Sequence, residues 1–172
     1  MNPQLSEAVK AFLNQSRLAV VGYSWEGDDP AVHIVPKLLA LGYDVVPVSL
    51  TKETIAQRPT VRSLGDIPSD VGGVLVTGDE HLSAQVVEVC AQKQIPLVWL
   101  HCMLGTSPKR WMRKVEHAVS SVGPNAIRLA RERGVTLIPG GCPMMFCREA
   151  DLPHRTIRAT LDWMGCFETR PE

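Results

Sequence analysis

No charge of either sign dominates this sequence: 18 lysines and arginines stand against 18 aspartates and glutamates in 172 residues. A balanced chain has no global field with which to recruit nucleic acid or an anionic membrane surface, so neither partner is expected. Long hydrophobic runs are missing as well. No stretch approaches the roughly 20 apolar residues that span a bilayer, and the opening residues MNPQLSEAVKAFLNQ form a polar amphipathic segment rather than a secretory leader. Both features predict a cytoplasmic protein. The five cysteines are odd in number and irregularly spaced, so reduced thiols are expected rather than a disulfide framework. No internal repeat or low-complexity segment appears.

What is there is ordinary globular composition, 45% hydrophobic and 21% charged, in a length suited to one domain. Continuous apolar runs at Leu18–Val21, Val45–Val48, Val74–Val76, Leu97–Leu100 and Val135–Ile138 predict strands buried on both faces. Helical spacing separates them, over Leu5–Leu13 (with Ser6 as a starting cap), Val32–Leu41, Leu82–Gln94 and Asn125–Arg133, with a last helix over Arg155–Met164. Gly42 and Gly134 are placed to end two of these helices. Alternating strands and helices with short connections predict an α/β fold: a Rossmann-like, doubly wound, mostly parallel five-stranded sheet with helices on both faces. One connection is longer than compact domains usually carry, from Cys102 to Pro124, with a short helix expected from Pro108 to His117. It should lie over the carboxyl edge of the sheet or meet a second subunit.

Ligands of doubly wound sheets bind outside the carboxyl ends of the strands, where the strand order reverses. The turn after the first strand reads Gly22-Tyr23-Ser24-Trp25-Glu26-Gly27, the spacing of G-x-G-x-x-G with serine in the middle position. Gly22 allows a tight exit from the strand, and Ser24 offers a hydroxyl and an N–H to a phosphate oxygen beside a helix N-terminus. A plain strand-to-helix turn would look the same. After the second strand comes Ser49, with Lys52, Arg58 and Arg62 close behind and no carboxylate before Glu53. A hydroxyl and cations suit a phosphorylated ribose better than a bare diol, although Lys52 also reads as a solvated loop charge.

The segments VVGYS…VPKLLALGYDVVPVS, SLGDIPSDVGGVLV, VWLH and GVTLIPGGCPMMF together resemble the small bacterial and archaeal CoA-binding domain proteins. These are stand-alone relatives of the nucleotide-binding domain of the succinyl-CoA synthetase α subunit. The resemblance implies coenzyme A, or an acyl-CoA, held by its ADP part at the carboxyl edge, with no catalytic activity established for the family. Carried over by position, it implies that Gly22, Tyr23 and Ser24 form the phosphate turn. Val48, Ser49 and Lys52 then lie on the adenosine side, and Thr77 and Gly78 line the ligand from the third strand. The chain departs from the family pattern in three places. Asp28 and Asp29 stand where a cation is usual, Ser49-Leu50 replaces Asn-Pro, and the third strand runs into TGDE. A phosphate on Gly22–Ser24 should leave Asp28 and Asp29 outside it, with Asp29 capping a helix that opens at Pro30.

Cys102 and Cys142 follow the fourth and fifth strands and would share one edge, forming a thiol site if a thiolate is stabilised there and inert packing if it is not. A metal held by His101, Cys102, Cys142 and Cys147 lacks the paired spacing of zinc ribbons. Trp99 and Trp163 suit a core or a subunit interface. The reading is a single CoA-binding domain, non-enzymatic, with a homodimer left open. The alternatives are an NADP-dependent oxidoreductase and a scaffold or regulatory protein whose nucleotide site has degenerated.

Overall fold

A computed structural model describes residues 1–22, 24–107 and 120–168. Helix α1 (Pro3–Leu13) leads into β1 (Arg17–Val21), α2 (Pro30–Ala40) and β2 (Asp44–Val48). A small antiparallel pair follows, β3 (Thr54–Ile55) and β4 (Arg58–Pro59). Then come β5 (Gly73–Val76), α3 (Glu80–Lys93), β6 (Leu97–Leu100), α4 (Pro124–Arg133), β7 (Thr136–Pro139) and α5 (Leu152–Trp163). The main sheet has the order β2-β1-β5-β6-β7 and every pairing in it is parallel. This is the Rossmann-like α/β architecture that the run of apolar strands predicts.

The sheet is covered on both faces because its strands alternate two sets of apolar side chains. Leu97 and Trp99 of β6 join α1, α2 and the C-terminal residues Leu161 and Phe167 in one core. Val98 and Leu100 join α3 and α4 in the other. Trp99 is fully buried and meets Phe12 edge-on at 5.2 Å. Gly73 makes room for that contact, since a Cβ there would lie 2.7 Å from the Phe12 ring. Trp163, by contrast, is 86% exposed on α5.

Helix ends follow local chemistry. Asn2, not Ser6, opens α1, its side chain accepting from the Gln4 N–H. The asparagine lies before the apolar periodicity begins, so that periodicity does not mark it. Asp79 and Asp151 cap α3 and α5 in the same way. Gly42, at φ +89°, follows the end of α2, and Gly134, at φ +70°, terminates α4. The β3–β4 pair escapes a search for apolar runs because it is two residues long on each side. Its turn residues Ala56 and Gln57 both have positive φ, as tight hairpins require. The helix expected at Pro108–His117 lies outside the described residues. The ends of that connection are fixed at the sheet, where the Ser121 N–H donates to the His101 carbonyl at 2.8 Å and Cys102 bridges to Ser120. Among the described residues no helix is long and apolar enough to cross a membrane.

Because Phe12 plugs α1 onto the sheet through Gly73 and Trp99, Phe12→Ala is expected to lower unfolding free energy by about 3–5 kcal/mol. Urea denaturation followed by circular dichroism measures it; a loss under about 1 kcal/mol would mean that α1 contributes little to the core.

Candidate functional site

The strand order reverses between β1 and β5, which places the crevice of the fold at their carboxyl ends. The parallel register fixes what stands there. Val21 pairs with Val48 and Val76, Val76 with Leu100, and Leu100 with Pro139. The next residue on each strand therefore forms a row across the sheet edge: Ser49, Gly22, Thr77, His101 and Gly140. The ladder still runs through this row, with the Thr77 N–H donating to Val21 at 3.0 Å and the His101 N–H to Val76 at 2.9 Å. An apolar sheet thus ends in a line of small or polar residues.

Asp29 stands over the centre of this row and is completely buried. It caps α2, as expected, with one carboxylate oxygen accepting from the Ala31 N–H at 3.0 Å. That oxygen also accepts from the Thr77 hydroxyl at 2.7 Å. The other oxygen accepts from the Ser24 N–H at 3.1 Å and the Trp25 N–H at 2.9 Å. In this structure the carboxylate lies inside the turn, on the Ser24 N–H that the sequence reading offers to a phosphate and on the Trp25 N–H beside it. Its two oxygens face in different directions, so one residue can cap the helix and fill the turn together. Gly22 permits this, because a Cβ there would lie 2.6 Å from the Asp29 oxygen and 2.8 Å from the Trp25 ring.

Trp25 closes the β2 side. It is 5% exposed, holds φ at +57°, and donates its indole N–H to the Val48 carbonyl at 2.8 Å. Lys52 reaches across, its ammonium donating to the Trp25 carbonyl at 2.7 Å and pairing with Glu26 at 3.0 Å. The Ser49 hydroxyl turns back to accept from the Lys52 N–H at 3.1 Å, ordering its own loop. At Gly78 a Cβ would lie 2.3 Å from the end of the Leu82 side chain, so a larger residue there would require Leu82 to shift. Tyr23 lies outside the described residues. The structure thus gathers Gly22, Ser24, Val48, Ser49, Lys52 and Thr77 around one crevice. Sequence reasoning missed Trp25 and the role of Asp29 within the turn. The signal for Asp29 was present in its position directly before Pro30, but capping alone accounted for it.

His101, next to Thr77 in the row, is 2% exposed, and among the described residues its Nε2 has no hydrogen-bond partner. Burial pushes the imidazole down to about 4, with Asp29 favouring its charge and His154 opposing it. Cys102 and Cys142 stand at the same edge of the sheet, since β6 and β7 are neighbours and the Cys102 backbone bridges to Gly141. Both are buried, and burial raises the Cys142 thiol to about 11, which disfavours the thiolate that disulfide exchange requires. Among the described residues no cluster of three or more His, Cys, Asp or Glu could hold a metal ion. A separate cleft of about 270 Å³ lies between α2 and the segment before α5, lined by Lys37, Leu41, Met144, Cys147 and Asp151.

The sequence model of the CoA-binding domain family matches residues 16–148. No curated protein matches the chain. Among solved structures, a hypothetical protein from Pyrococcus horikoshii OT3 superposes with a TM-score of 0.65 at 23% identity, over 81% of this chain and 87% of that one. A Thermus thermophilus protein gives 0.58 at 23% identity, over 80% and 90%. The acetyl-coenzyme A synthetase 1 of Ca. Korarchaeum cryptofilum gives 0.55 at 18% identity, over 75% of this chain but 27% of the enzyme. At these identities the structural matches speak for the fold.

A histidine held neutral by burial makes stability depend on pH. The unfolded chain protonates His101 near pH 6.5, whereas the folded protein resists until about 4. The contribution is therefore intact above pH 6.5 and is lost as pH falls from 6.5 toward 4, to a limit of about 3 kcal/mol. Urea melts at pH 7.5, 6, 5 and 4.5 should show that loss in the wild type, and His101→Gln should flatten it. An identical slope in both proteins would assign the acid sensitivity elsewhere.

Proposed function

We propose, from the premise that this chain belongs to the CoA-binding domain family, that it binds coenzyme A or an acyl-CoA through the ADP part and performs no chemistry on it. The observation that carries this reading is the donor set at the switch point. Two N–H groups of the glycine turn, a helix N-terminus and the Thr77 hydroxyl converge on a single anionic group. That convergence suits a phosphate as well as a carboxylate, because both present several acceptor oxygens to fixed donors. The diphosphate would rest against Ser24 and Thr77. The adenosine would run toward Val48 and Ser49, with Lys52 as the cation for a ribose phosphate.

Pantetheine would extend along the sheet edge toward His101 and the Cys102–Cys142 side. The thiols there act as packing, in keeping with their burial. Homodimer formation stays compatible with this reading, and the exposed Trp163 and Leu152 of α5 supply apolar surface for it.

Calorimetric titration with CoA tests the assignment. Since affinity resides in the ADP part, 3′-phospho-ADP should compete with CoA at a concentration within about tenfold of CoA itself, and pantetheine alone should not. NAD and NADP titrated in parallel should bind at least tenfold more weakly. Absence of CoA binding at millimolar concentration, or tighter binding of NADP, would overturn the reading.

A further inference from the structure

The crevice assigned to the ligand is filled by the protein itself. Asp29 holds the Ser24 and Trp25 N–H groups and the Thr77 hydroxyl, Trp25 covers the β2 side, and Lys52 ties the Trp25 carbonyl down from the neighbouring loop. A phosphate and the Asp29 carboxylate cannot share these donors, since both would approach the same N–H directions with like charge.

We propose that residues 24–29 form an autoinhibitory gate: Asp29 is an internal ligand of the phosphate turn, Trp25 its plug and Lys52 its latch. A phosphate-bearing ligand binds only the form in which the carboxylate has left the turn. The identity of that ligand rests on the CoA reading above; the gate does not.

Three observations favour an opening of this kind over a permanently closed turn. Trp25 is held at φ +57°, a conformation disfavoured for a bulky residue, so release relaxes a local cost that the indole hydrogen bond and burial now offset. The gate lies between β1 and α2 and is fastened to β5 and the β2 loop by side chains, so it can lift without parting a strand pair. Lys52 is committed in the closed form to Glu26 and to the Trp25 carbonyl, and opening frees it for a ligand phosphate. The gate therefore exchanges one set of anion contacts for another. Apparent affinity falls by the fraction of molecules that are open, and removal of the internal ligand restores it.

Asp29→Ser separates the two roles of Asp29. The serine hydroxyl still caps the Ala31 N–H, but it has no second oxygen to reach Ser24 and Trp25. Wild type, Asp29→Ser and Trp25→Gly are titrated calorimetrically with CoA and, separately, with inorganic pyrophosphate. Asp29→Ser is expected to bind both at least tenfold more tightly than wild type, and Trp25→Gly to move in the same direction. Unchanged or weaker binding of both ligands by Asp29→Ser overturns the gate. A gain for pyrophosphate with no CoA binding by any form keeps the gate and removes the CoA reading. Equal CoA binding by all three proteins keeps the CoA reading and removes the gate. Should the variants fail to fold, wild type decides the question. Its Trp25 indole N–H, assigned through Trp25→Phe, should lose hydrogen-exchange protection at saturating CoA or pyrophosphate. An indole still protected in the saturated protein, or no binding of either ligand, overturns the gate.

Discussion

The structure at the working end of this protein depends on the accommodation of one buried carboxylate. A charge taken wholly out of water is costly unless its lone pairs are filled, and Asp29 fills them with three backbone N–H groups and one hydroxyl. Each donor constrains a different part of the chain. The Ala31 N–H requires α2 to begin at Pro30, the Thr77 hydroxyl ties β5 to the turn, and the Ser24 and Trp25 amides bend the exit from β1 inward. Gly22 must lack a side chain for the oxygen to approach at all. The arrangement also benefits from the positive end of α2, which favours an anion at that point.

The same accommodation explains the abrupt change of chemistry along each strand. From their second residue on, β1 and β2 are apolar to their carboxyl ends because both faces are covered, as are β5 and β6, yet one residue further Ser49, Thr77 and His101 stand in line. Register, not composition, assembles that line. His101 is its least comfortable member, buried with a ring nitrogen that finds no partner among the described residues and held neutral by its surroundings. Buried polar groups without partners are rare in stable proteins, and this one lies beside the only hydroxyl of the row that touches Asp29.

Most of the fold could be read from the chain, and the site only partly. Five apolar runs located the strands to within a residue or two, since a buried parallel strand has to be continuously apolar. Gly42 and Gly134 stopped helices as their positions implied, through positive φ. The site was harder because its residues were read for what they offer a ligand, not for what they offer each other. Ser24 and Thr77 do meet at one anion, but the anion comes from the chain. Trp25 gave no warning, because a single tryptophan in a glycine turn has no period and its indole partner, the Val48 carbonyl, is 23 residues away. The β3–β4 hairpin was hidden for a simpler reason, its brevity.

The region shared with the family runs from residue 16 to 148, yet the core does not stop at those limits. Phe12 lies against Trp99 from one flank, and Phe167 meets Phe146 from the other, while the Asn2 N–H reaches the Phe167 carbonyl. The two flanks clasp each other over a single face of the sheet. Cut down to the segment that the family model matches, the chain would keep every strand but leave an aromatic surface bare, with Trp99 at its centre. The shared region is thus a topology without a complete skin, and the flanks close the core on that face.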